Sequence, residues 1–559
     1  MPVPPASAAL RAAGYESPLA ELLAQRAHSD PTAAARFLTP VLSDLTPVDA
    51  IAGLAAAADR LAGAAASGER LLVVGDYDVD GVTATALTAA TLGALGAAVE
   101  TLLPQRHGEG YGLQPLHIER AAAIGARLVV AVDSGTSAHA AWTEAERRGI
   151  DLVIVDHHLP AQDGPLPSVA GRWVVNPRLA ETRTSATDST AAGLAARLAA
   201  ELFARAGREV PWDGLLRLAA LGTIADVAPL VGDNRVLAAL GLATLAETPS
   251  PGLRELQRLA STRAPLSAAD VAFRLAPRLN AAGRLADAEA ALELLLTRDA
   301  TRARALAAQL ERWNSERQGI ERRILDEARA LLGQRAELPW IVVLWSRQWH
   351  RGVVGVAAAR LARELHRPTI LLAQDGDEAT GSGRSVAGLS LHDLIAPWSG
   401  ELVRFGGHAQ AIGLTVAVDR IESLREGWEG AAEAWRDRLS SRETRFDLEL
   451  PVAAISADLA ASLERLAPFG AGNPEPLFRI GPCSAAGRPA PFGKGHVRFT
   501  ISAAGGDGPR FALVAWNGAE RWGSGLPAQF ELLAAVERDP RLGVRLRLAE
   551  LRSFPASSD

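Results

Sequence analysis

Short apolar runs, each followed closely by an aspartate, constrain the fold of this 559-residue chain more than any other feature. The runs Leu71–Val74, Leu128–Val132 and Asp151–Val155 are separated by helical patterns. Such an alternation is typical of a parallel sheet with crossover helices. Because ligands bind these sheets at the carboxyl ends of the strands, the sequence predicts that the aspartates meet at one site. After the first run we predict a loop, GDYDVDG (75–81), and a helix from about Val82 to Leu95.

The chain is too long for one core, and its patterns divide it into domains. Apolar residues recur on one helix face from about Thr301 to Leu332, and strand patterns resume at Trp340. Short β-like runs after Phe446, punctuated by glycine and proline, are typical of a small barrel. We therefore predict an α/β multidomain protein with a helical segment at 1–50, a parallel-sheet domain at 51–300, a connecting helix at 301–335, a second α/β domain at 336–440 and a β-barrel at 445–555.

The formal net charge of -6 argues weakly against a nucleic-acid partner, because phosphate binding needs a positive surface. Net charge does not report how charges are distributed, however, and a metal site brings an acidic cluster of its own. Cys483 is the only cysteine, which favours a reducing cytosol. The first residues lack the pattern of a secretion signal, and no apolar run approaches the roughly 18 residues that a membrane helix needs. We predict a cytoplasmic protein that does not enter a membrane.

Asp76, Asp78 and Asp80 stand at alternate positions just after the first run. Carboxylates this close repel one another unless cations bind, so the motif indicates a metal site. A solvated acidic turn is the plain alternative. A calcium loop of the EF-hand type is excluded, because its twelfth position needs a glutamate and is Leu87 here.

Further candidate ligands lie beyond the other runs. By itself, Asp133 in DSGT is more typical of a helix N-cap, and Asp226 in the helix-like GTIADVAPL carries little information. Asp156, His157 and His158 form DHH, a moderate metal signal. Taken together, oxygen ligands with one or two imidazoles suit Mn²⁺ or Mg²⁺ better than zinc. Two such ions about 3.5–4 Å apart activate water and steady the leaving oxygen of a phosphoryl group.

These motifs, with others in the same order, resemble those of the DHH phosphoesterase superfamily and, within it, the RecJ exonucleases. The resemblance runs from about Leu71 to Phe478. The matching motifs are GDYDVDG (75–81), PQRHGEGYGL (104–113), DSGT (133–136), VDHH (155–158), VNPR (175–178), GTIADVAPL (222–230), RLNAAGR (278–284), GSGRS (381–385), GGHAQAIG (406–413) and PFGAGNPEP (468–476). The resemblance implies a DHH domain, a long connecting helix, a DHH-associated domain and a C-terminal OB-fold barrel.

The resemblance also implies a role for each matching acidic or histidine residue. Asp133 is expected to bridge two ions, and Asp76 and Asp156 are expected to orient the ligands from behind. His158 is expected to donate a hydrogen bond or a proton to the scissile phosphate. The implied metal ligands are Asp78, Asp80, Asp133, His157 and Asp226.

Other matching positions are implied to contact DNA. Ser382 and Arg384 stand two apart, on one side of an extended chain, and with Arg106 they are expected to hold a 5′ phosphate. Without the resemblance, RLNAAGR reads as a helix end and GGHAQAIG as a tight turn. The full implied set is Arg106, Tyr111, Asn280, Arg284, Ser382, Arg384 and His408. In the barrel, where half of any such set is usually core, the candidates are Phe492, Lys494, His496, Arg498, Phe499 and Trp516.

The function implied is 5′ to 3′ degradation of single-stranded DNA to 5′ mononucleotides in recombination and repair, with two Mn²⁺ or Mg²⁺ ions. Implied partners are single-stranded DNA, a helicase and a single-strand-binding protein. The main alternative is a DHH phosphodiesterase for short oligonucleotides or cyclic dinucleotides, although such enzymes usually lack the barrel and the long helix. A degenerate DNA-binding scaffold is disfavoured because every expected ligand is present. A pyrophosphatase is disfavoured because the arginine and glycine motifs beyond Leu332 imply a polymeric substrate.

Overall fold

The computed structural model describes residues 7–105, 112–160, 172–440, 444–493, 495–506, 508–539 and 541–553. These residues cluster into two compact units. Met1–Ala276 with Thr444–Asp559 makes up the first unit, and Pro277–Glu443 makes up the second. Among the described residues, no helix combines the length and the apolar character needed to cross a membrane.

The first unit is built on a parallel sheet that confirms the predicted strands and adds others. Its strand order is β2-β1-β3-β4-β5. Along β1, Leu71 and Val73 pack on one face and Leu72 and Val74 on the other, so both faces are covered. The order reverses between β1 and β3, which is where ligands bind sheets of this kind. The strands are β1 Arg70–Val74, β2 Ala98–Leu102, β3 Leu128–Val132, β4 Asp151–Val155 and β5 Arg172–Val175.

Helices precede and cover this sheet. The predicted N-terminal helices are present, and they pack with the C-terminal barrel in one apolar core that includes Leu10, Phe37, Phe478 and Phe530. The helices are α1 Ser7–Ala12, α2 Leu19–Gln25, α3 Pro31–Leu38, α4 Leu54–Ala66, α5 Val79–Ala94, α6 Pro115–Ala123, α7 His139–Arg148, α8 Ala191–Arg205, α9 Trp212–Ala225, α10 Gly232–Ala246, α11 Pro251–Ala260 and α12 Ala268–Asp270. A π-helical turn, Val271–Leu275, follows α12.

The second unit contains the long helix and a mixed sheet of order β6-β7-β8-β10-β9. Asp299 caps the long helix by accepting the N–H groups of Thr301 and Arg302. The helices are α13 Ala276–Leu285, which begins at the boundary between the units, α14 Glu289–Leu296, α15 Ala300–Gly333, α16 Val354–Leu365, α17 Leu391–Ile395, α18 Ile421–Ala432 and α19 Arg436–Ser440. The strands are β6 Val342–Ser346, β7 Thr369–Asp375, β8 Glu378–Arg384, β9 Arg404–His408 and β10 Ala411–Ala417.

The C-terminal part of the first unit confirms the predicted barrel. Its sheet has the order β11-β12-β16-β17-β15-β14-β13, and an additional pairing of β12 with β14 closes it. The elements are β11 Leu448–Leu450, α20 Ala457–Glu464, β12 Phe478–Ala485, β13 Ala490–Phe492, β14 His496–Ala503, β15 Phe511–Ala515, α21 Ala519–Trp522, β16 Phe530–Asp539 and β17 Gly543–Ser553.

Candidate active site

The first acidic motif joins β1 to α5, and its helix begins earlier than the sequence predicts. We predicted a loop to residue 81 and a helix from Val82, but α5 begins at Val79. The reason is that Asp78 caps the helix and accepts the N–H of Gly81 at 3.1 Å. Asp80 therefore lies in the first helical turn. A Cβ atom at Gly81 would lie 2.6 Å from the Asp76 nitrogen, so glycine lets the helix approach Asp76 closely.

The Asp80 carboxylate is buried and held from behind by backbone donors. Its oxygens accept the N–H groups of Ala191 at 2.8 Å and Ala192 at 2.9 Å, at the start of α8. Exposed N–H groups at a helix N-terminus stabilise a negative charge. Burial and the charge of Asp78 nevertheless raise the pKa of Asp80 to about 7. These donors could not be predicted from the sequence, because the side chain of an alanine does not show what its backbone N–H binds.

Asp133 follows β3 in an unusual backbone conformation. Its φ of +60° lies in the left-handed region, and its N–H donates to the Val155 carbonyl at 2.9 Å. The position is not a helix N-cap, since α7 starts only at His139. The buried carboxylate lies 3.2 Å from His157 Nε2. Burial, together with the charges of neighbouring aspartates, holds the pKa of Asp133 well above its ordinary value.

In the DHH motif that follows β4, the residues point in different directions. Asp156 Oδ1 accepts the N–H of His157 at 2.8 Å and lies 2.7 Å from His158 Nδ1, while Oδ2 accepts the N–H of Thr136 at 3.0 Å. Burial opposes ionisation of Asp156, but these hydrogen bonds outweigh it and lower its pKa. Asp156 thus positions the two histidines and Thr136 through hydrogen bonds.

The two histidines differ in electrostatics. Burial lowers the pKa of His157 to about 3, so at neutral pH its ring is uncharged and offers a lone pair. Burial also disfavours the charged form of His158, but the hydrogen bond to Asp156 outweighs burial and raises the pKa of His158. One ring is suited to bind a cation and the other to donate a proton.

Asn176 of the VNPR motif supports this arrangement, a role that the sequence analysis did not assign. Its side-chain amide is buried and donates to Thr136 Oγ1 at 3.0 Å and to the His158 carbonyl at 2.9 Å. Thr136 in turn donates its N–H to Asp156. The polar network therefore fixes the chain on both sides of the histidine pair.

Asp226 ends α9 and comes from a different side of the site. The N–H of Ala228 donates to the Thr223 carbonyl and that of Val227 to Ile224, which closes the helix in a Schellman motif. Although part of the Asp226 side chain is exposed to solvent, partial burial of its carboxyl group and the charge of Asp80 raise its pKa. One turn earlier, a Cβ atom at Gly222 would lie 2.7 Å from Asp80 Oδ1, so glycine lets α9 pack against the carboxylate.

The side chains of these elements converge. Among the described residues, donor atoms within 4.8 Å of one another come from three groups: Asp76, Asp78 and Asp133; Asp80, His157 and Asp226; and Asp133, His157 and His158. Asp133 and His157 each belong to more than one group. Every predicted metal ligand is included, and Asp76 and His158 join them. A set rich in carboxylates with neutral imidazole fits Mn²⁺ or Mg²⁺, and bound cations would offset the burial and the mutual repulsion that raise the carboxyl pKa values.

The second unit carries most of the residues expected to contact DNA. Asn280 and Arg284 lie on α13, and Arg284 Nη1 is 3.4 Å from the Gly352 carbonyl. Ser382 and Arg384 lie on β8, on the same face as predicted for an extended chain. A Cβ atom at Gly355, near the start of α16, would lie 3.1 Å from Ser382 Oγ and 3.3 Å from Arg384 Nη2. A hydroxyl, a guanidinium and a helix N-terminus therefore meet there. His408 is exposed at the end of β9.

Some predicted positions lie outside the described residues. They are Arg106 and Tyr111, in the range 106–111, and Lys494.

On the barrel, the candidate aromatic residues divide into surface and core. Phe492 and His496 are cross-strand partners of β13 and β14, and Trp516 lies 4.8 Å from His496 and 5.5 Å from Phe492 between ring centroids. Phe492 and Trp516 are exposed. Phe499 was wrong as a surface candidate, because strand alternation turns it into the core. Arg498 is exposed.

Models of known families match three parts of this chain. The DHH family N-terminal domain matches residues 70–223, the DHHA1 domain matches 338–433, and the RecJ OB domain matches 446–540. The single-stranded-DNA-specific exonuclease RecJ of Dickeya dadantii is 38% identical over 452 residues, which cover 77% of this chain and 78% of the relative. The RecJ of Escherichia coli is 35% identical over 467 residues, with 79% and 80% covered.

Solved structures give a similar result. The structure of Thermus thermophilus RecJ in complex with Mn²⁺ aligns with a TM-score of 0.81 at 33% identity, covering 96% of this chain and 76% of that one. The Mg²⁺ complex of the same protein aligns with a TM-score of 0.76 at 32% identity, covering 96% and 75%.

Proposed function

The chain belongs to the RecJ family of single-stranded-DNA-specific exonucleases, and on this basis we propose that it degrades single-stranded DNA from the 5′ end to 5′ mononucleotides, using two Mn²⁺ or Mg²⁺ ions. The observation that carries the proposal is the convergence of the donor groups at the point where the sheet order reverses. When bound there, divalent cations supply Lewis-acid activation of water and neutralise charge that develops on the phosphate.

In this proposal each ion has its own donor group. Asp80, His157 and Asp226 would hold one, and Asp78 and Asp133 would hold the other; Asp133, which also groups with His157, is a candidate ligand for both. The backbone donors at the start of α8 fix the Asp80 carboxylate, whose remaining lone pairs would be available to a cation. Asp76 orients this set from the end of β1.

His158 serves as the proton donor to the reacting phosphate. Its Nδ1 is held by Asp156, which favours the charged form of the ring and leaves Nε2 to donate a proton to the substrate. Transfer of that proton to the leaving 3′ oxygen completes hydrolysis of the phosphodiester bond. Asp156 and Asn176 act on the reaction through His158.

The end of the strand is recognised in the second unit. Ser382 and Arg384, beside Gly355, offer donors suited to a terminal 5′ phosphate. Arg106, which lies outside the described residues, is proposed as a further contact to the DNA. Tyr111, Asn280, Arg284 and His408 are proposed to contact the strand beyond this phosphate. We extend the proposal to a cytoplasmic setting in recombination and repair, where a helicase and a single-strand-binding protein would supply and protect the single strand.

The test is an exonuclease assay with Mn²⁺ on the full chain. Substrates are single strands with a 5′ phosphate, a blocked 5′ end or a blocked 3′ end, together with blunt duplex and a dinucleotide. We expect mononucleotide release that fails for the 5′ block and the duplex but persists with the 3′ block. Failure with the 3′ block instead would show that degradation starts from the 3′ end. Cleavage of the dinucleotide but of no long strand would indicate a phosphodiesterase for short oligonucleotides.

A further inference from the structure

The PFGAGNPEP motif, to which sequence analysis assigned no role, forms a tight turn. In this GAGN turn, residues Gly470–Asn473, the N–H of Asn473 donates to the Gly470 carbonyl at 3.2 Å and that of Gly470 to Asn473 at 2.9 Å. Gly472 has a φ of +72°, as the third position of a type II turn requires. The buried Asn473 amide donates to the carbonyls of Leu466 and Pro468, which fixes the turn on its stem.

The GAGN turn docks on the chain that follows Asp226. This APLV segment, residues Ala228–Val231, donates the N–H of Leu230 to the Ala471 carbonyl at 2.7 Å. The two backbones lie close together. A Cβ atom at Gly470 would be 2.8 Å from Leu230 Cδ1, and one at Gly472 would be 3.0 Å from Pro229 Cβ. The glycines of the turn are therefore needed for this contact as well as for the turn itself.

Between Asp226 and the APLV segment lies a strained residue. Val227 has a φ of +60° and an exposed side chain, 68% accessible. The left-handed region is costly for a β-branched residue, and such a conformation persists only where the surroundings hold it in place. The end of α9 holds one side of Val227, and the docked APLV segment holds the other.

We infer that the GAGN turn is a positioning element of the metal site: by fixing the APLV segment, it holds Asp226 where the group of Asp80, His157 and Asp226 needs it. The inference rests on the proposed role of Asp226 as a metal ligand. Asp226 is absent from the group of Asp76, Asp78 and Asp133, so the turn bears on one ion more than on the other.

The turn is anchored to the remainder of the first unit as well. Arg26, just after α2, donates from Nε to Asn473 Oδ1 at 3.1 Å and from Nη2 to the Pro474 carbonyl at 2.9 Å. Arg235 on α10 donates to the Phe37 and Ala467 carbonyls. Arg26 and Arg235 thus link the N-terminal helices to the GAGN turn and to Ala467 just before it.

The experiment measures Mn²⁺ binding to the full chain by electron paramagnetic resonance, without DNA, for two matched glycine substitutions. Gly472→Ala strains a left-handed residue and pushes against Pro229. Gly543→Ala imposes the same strain at a φ of +75°, but its Cβ would meet its nearest neighbour, Ala457 Cβ, at 4.0 Å. Arg26→Met loosens the turn from the other side and serves if Gly472→Ala does not fold.

We expect Gly472→Ala and Arg26→Met to weaken one Mn²⁺ site by about tenfold, as losing the support of a ligand does, and to leave the other site as in Gly543→Ala. Affinities equal to those of Gly543→Ala, or equal weakening of both sites in step with the melting temperature, would overturn the inference. Because the readout is metal binding, it stands apart from the exonuclease assay. A wild-type chain that binds Mn²⁺ but digests no DNA contradicts the proposed function and leaves this comparison intact.

Discussion

Asp133 belongs to two of the donor groups and has a left-handed backbone conformation. Asp133→Asn tests the first property, and Asp133→Ala also tests the second. We predict that Asp133→Asn lowers turnover by roughly three orders of magnitude, because the loss of a charged ligand removes about 4 kcal/mol of transition-state stabilisation. Asparagine tolerates the φ of +60°, so the fold should be retained. Asp133→Ala should add about 1 kcal/mol of backbone strain. Steady-state kinetics and thermal melting of both variants check this. Near-normal turnover of Asp133→Asn would show that Asp133 is not a metal ligand.

His28 is predicted to make stability depend on pH. Its ring lies 4.2 Å from that of Phe37 beside a cavity of about 270 Å³, which Arg26 and Asp447 also line. Burial, followed by the charges of Arg235 and Arg26, lowers the pKa of His28. The unfolded chain therefore binds a proton below about pH 6.5 more readily than the folded chain, so stability falls as the pH drops through that range.

The substitution His28→Phe keeps a ring against Phe37 and cannot bind a proton. We expect it to lose less stability than the wild type between pH 7.5 and pH 5, as measured by denaturant unfolding at each pH. Parallel stability curves for the two proteins would show that His28 does not contribute.

Two glycines of α9 allow the effect of helix packing on stability to be separated from the effect of helix propensity. A Cβ atom at Gly222 would lie 2.4 Å from Thr83 Oγ1 and 2.5 Å from Ala192 Cβ, so Gly222→Ala must push α9 away from α5 and α8. We expect a loss of about 1–3 kcal/mol of stability and, because Asp226 moves with the helix, roughly 100-fold lower activity. Gly214→Ala in the same helix has its nearest contact at 3.9 Å and should be neutral or slightly stabilising. Similar melting temperatures and rates for the two variants would contradict this.

The elements of the sheet could be predicted because their signals are local. The β-branched runs match β1, β3 and β4. The aspartates that follow these runs meet at one site because the carboxyl ends of parallel strands lie at the same edge of the sheet. The start of α5 was predicted too late because Asp78 is both a helix cap and a candidate ligand, and a motif of ligands is typical of a loop. The backbone donors of Ala191 and Ala192 could not be predicted, since any residue supplies the same N–H group.

Long-range packing was harder to predict than the elements themselves. The N-terminal helices were predicted as helices, yet nothing in their sequence indicated that Leu10 and Phe37 pack with Phe478 and Phe530 of the barrel. An apolar face shows that a helix is buried but carries no record of its partner. The role of the GAGN turn is of the same kind, because the contact of Ala471 with Leu230 joins backbone atoms that are distant in sequence.

At the scale of the whole molecule, the proposed function assigns cleavage to the metal site and binding of a long strand to the barrel. The aromatic cluster of Phe492, His496 and Trp516 suits the second task. The N–H of Asn517 donates to His496 Nδ1 at 3.0 Å, which fixes the ring beside Trp516. Exposed rings on a barrel of this class stack with bases whatever the sequence.

We predict that Trp516→Ala weakens binding of a long single strand by about tenfold, because one base–aromatic stack contributes roughly 1–3 kcal/mol. Cleavage of a dinucleotide should not change, since Trp516 is not among the donor groups of the metal site. Leu542→Ala is the control, because Leu542 is an exposed apolar residue of the barrel outside the cluster. Fluorescence anisotropy with a labelled strand, alongside dinucleotide kinetics, separates the two effects. Equal losses on both substrates would mean that Trp516 supports the fold, and no loss on either would place the strand elsewhere on the barrel.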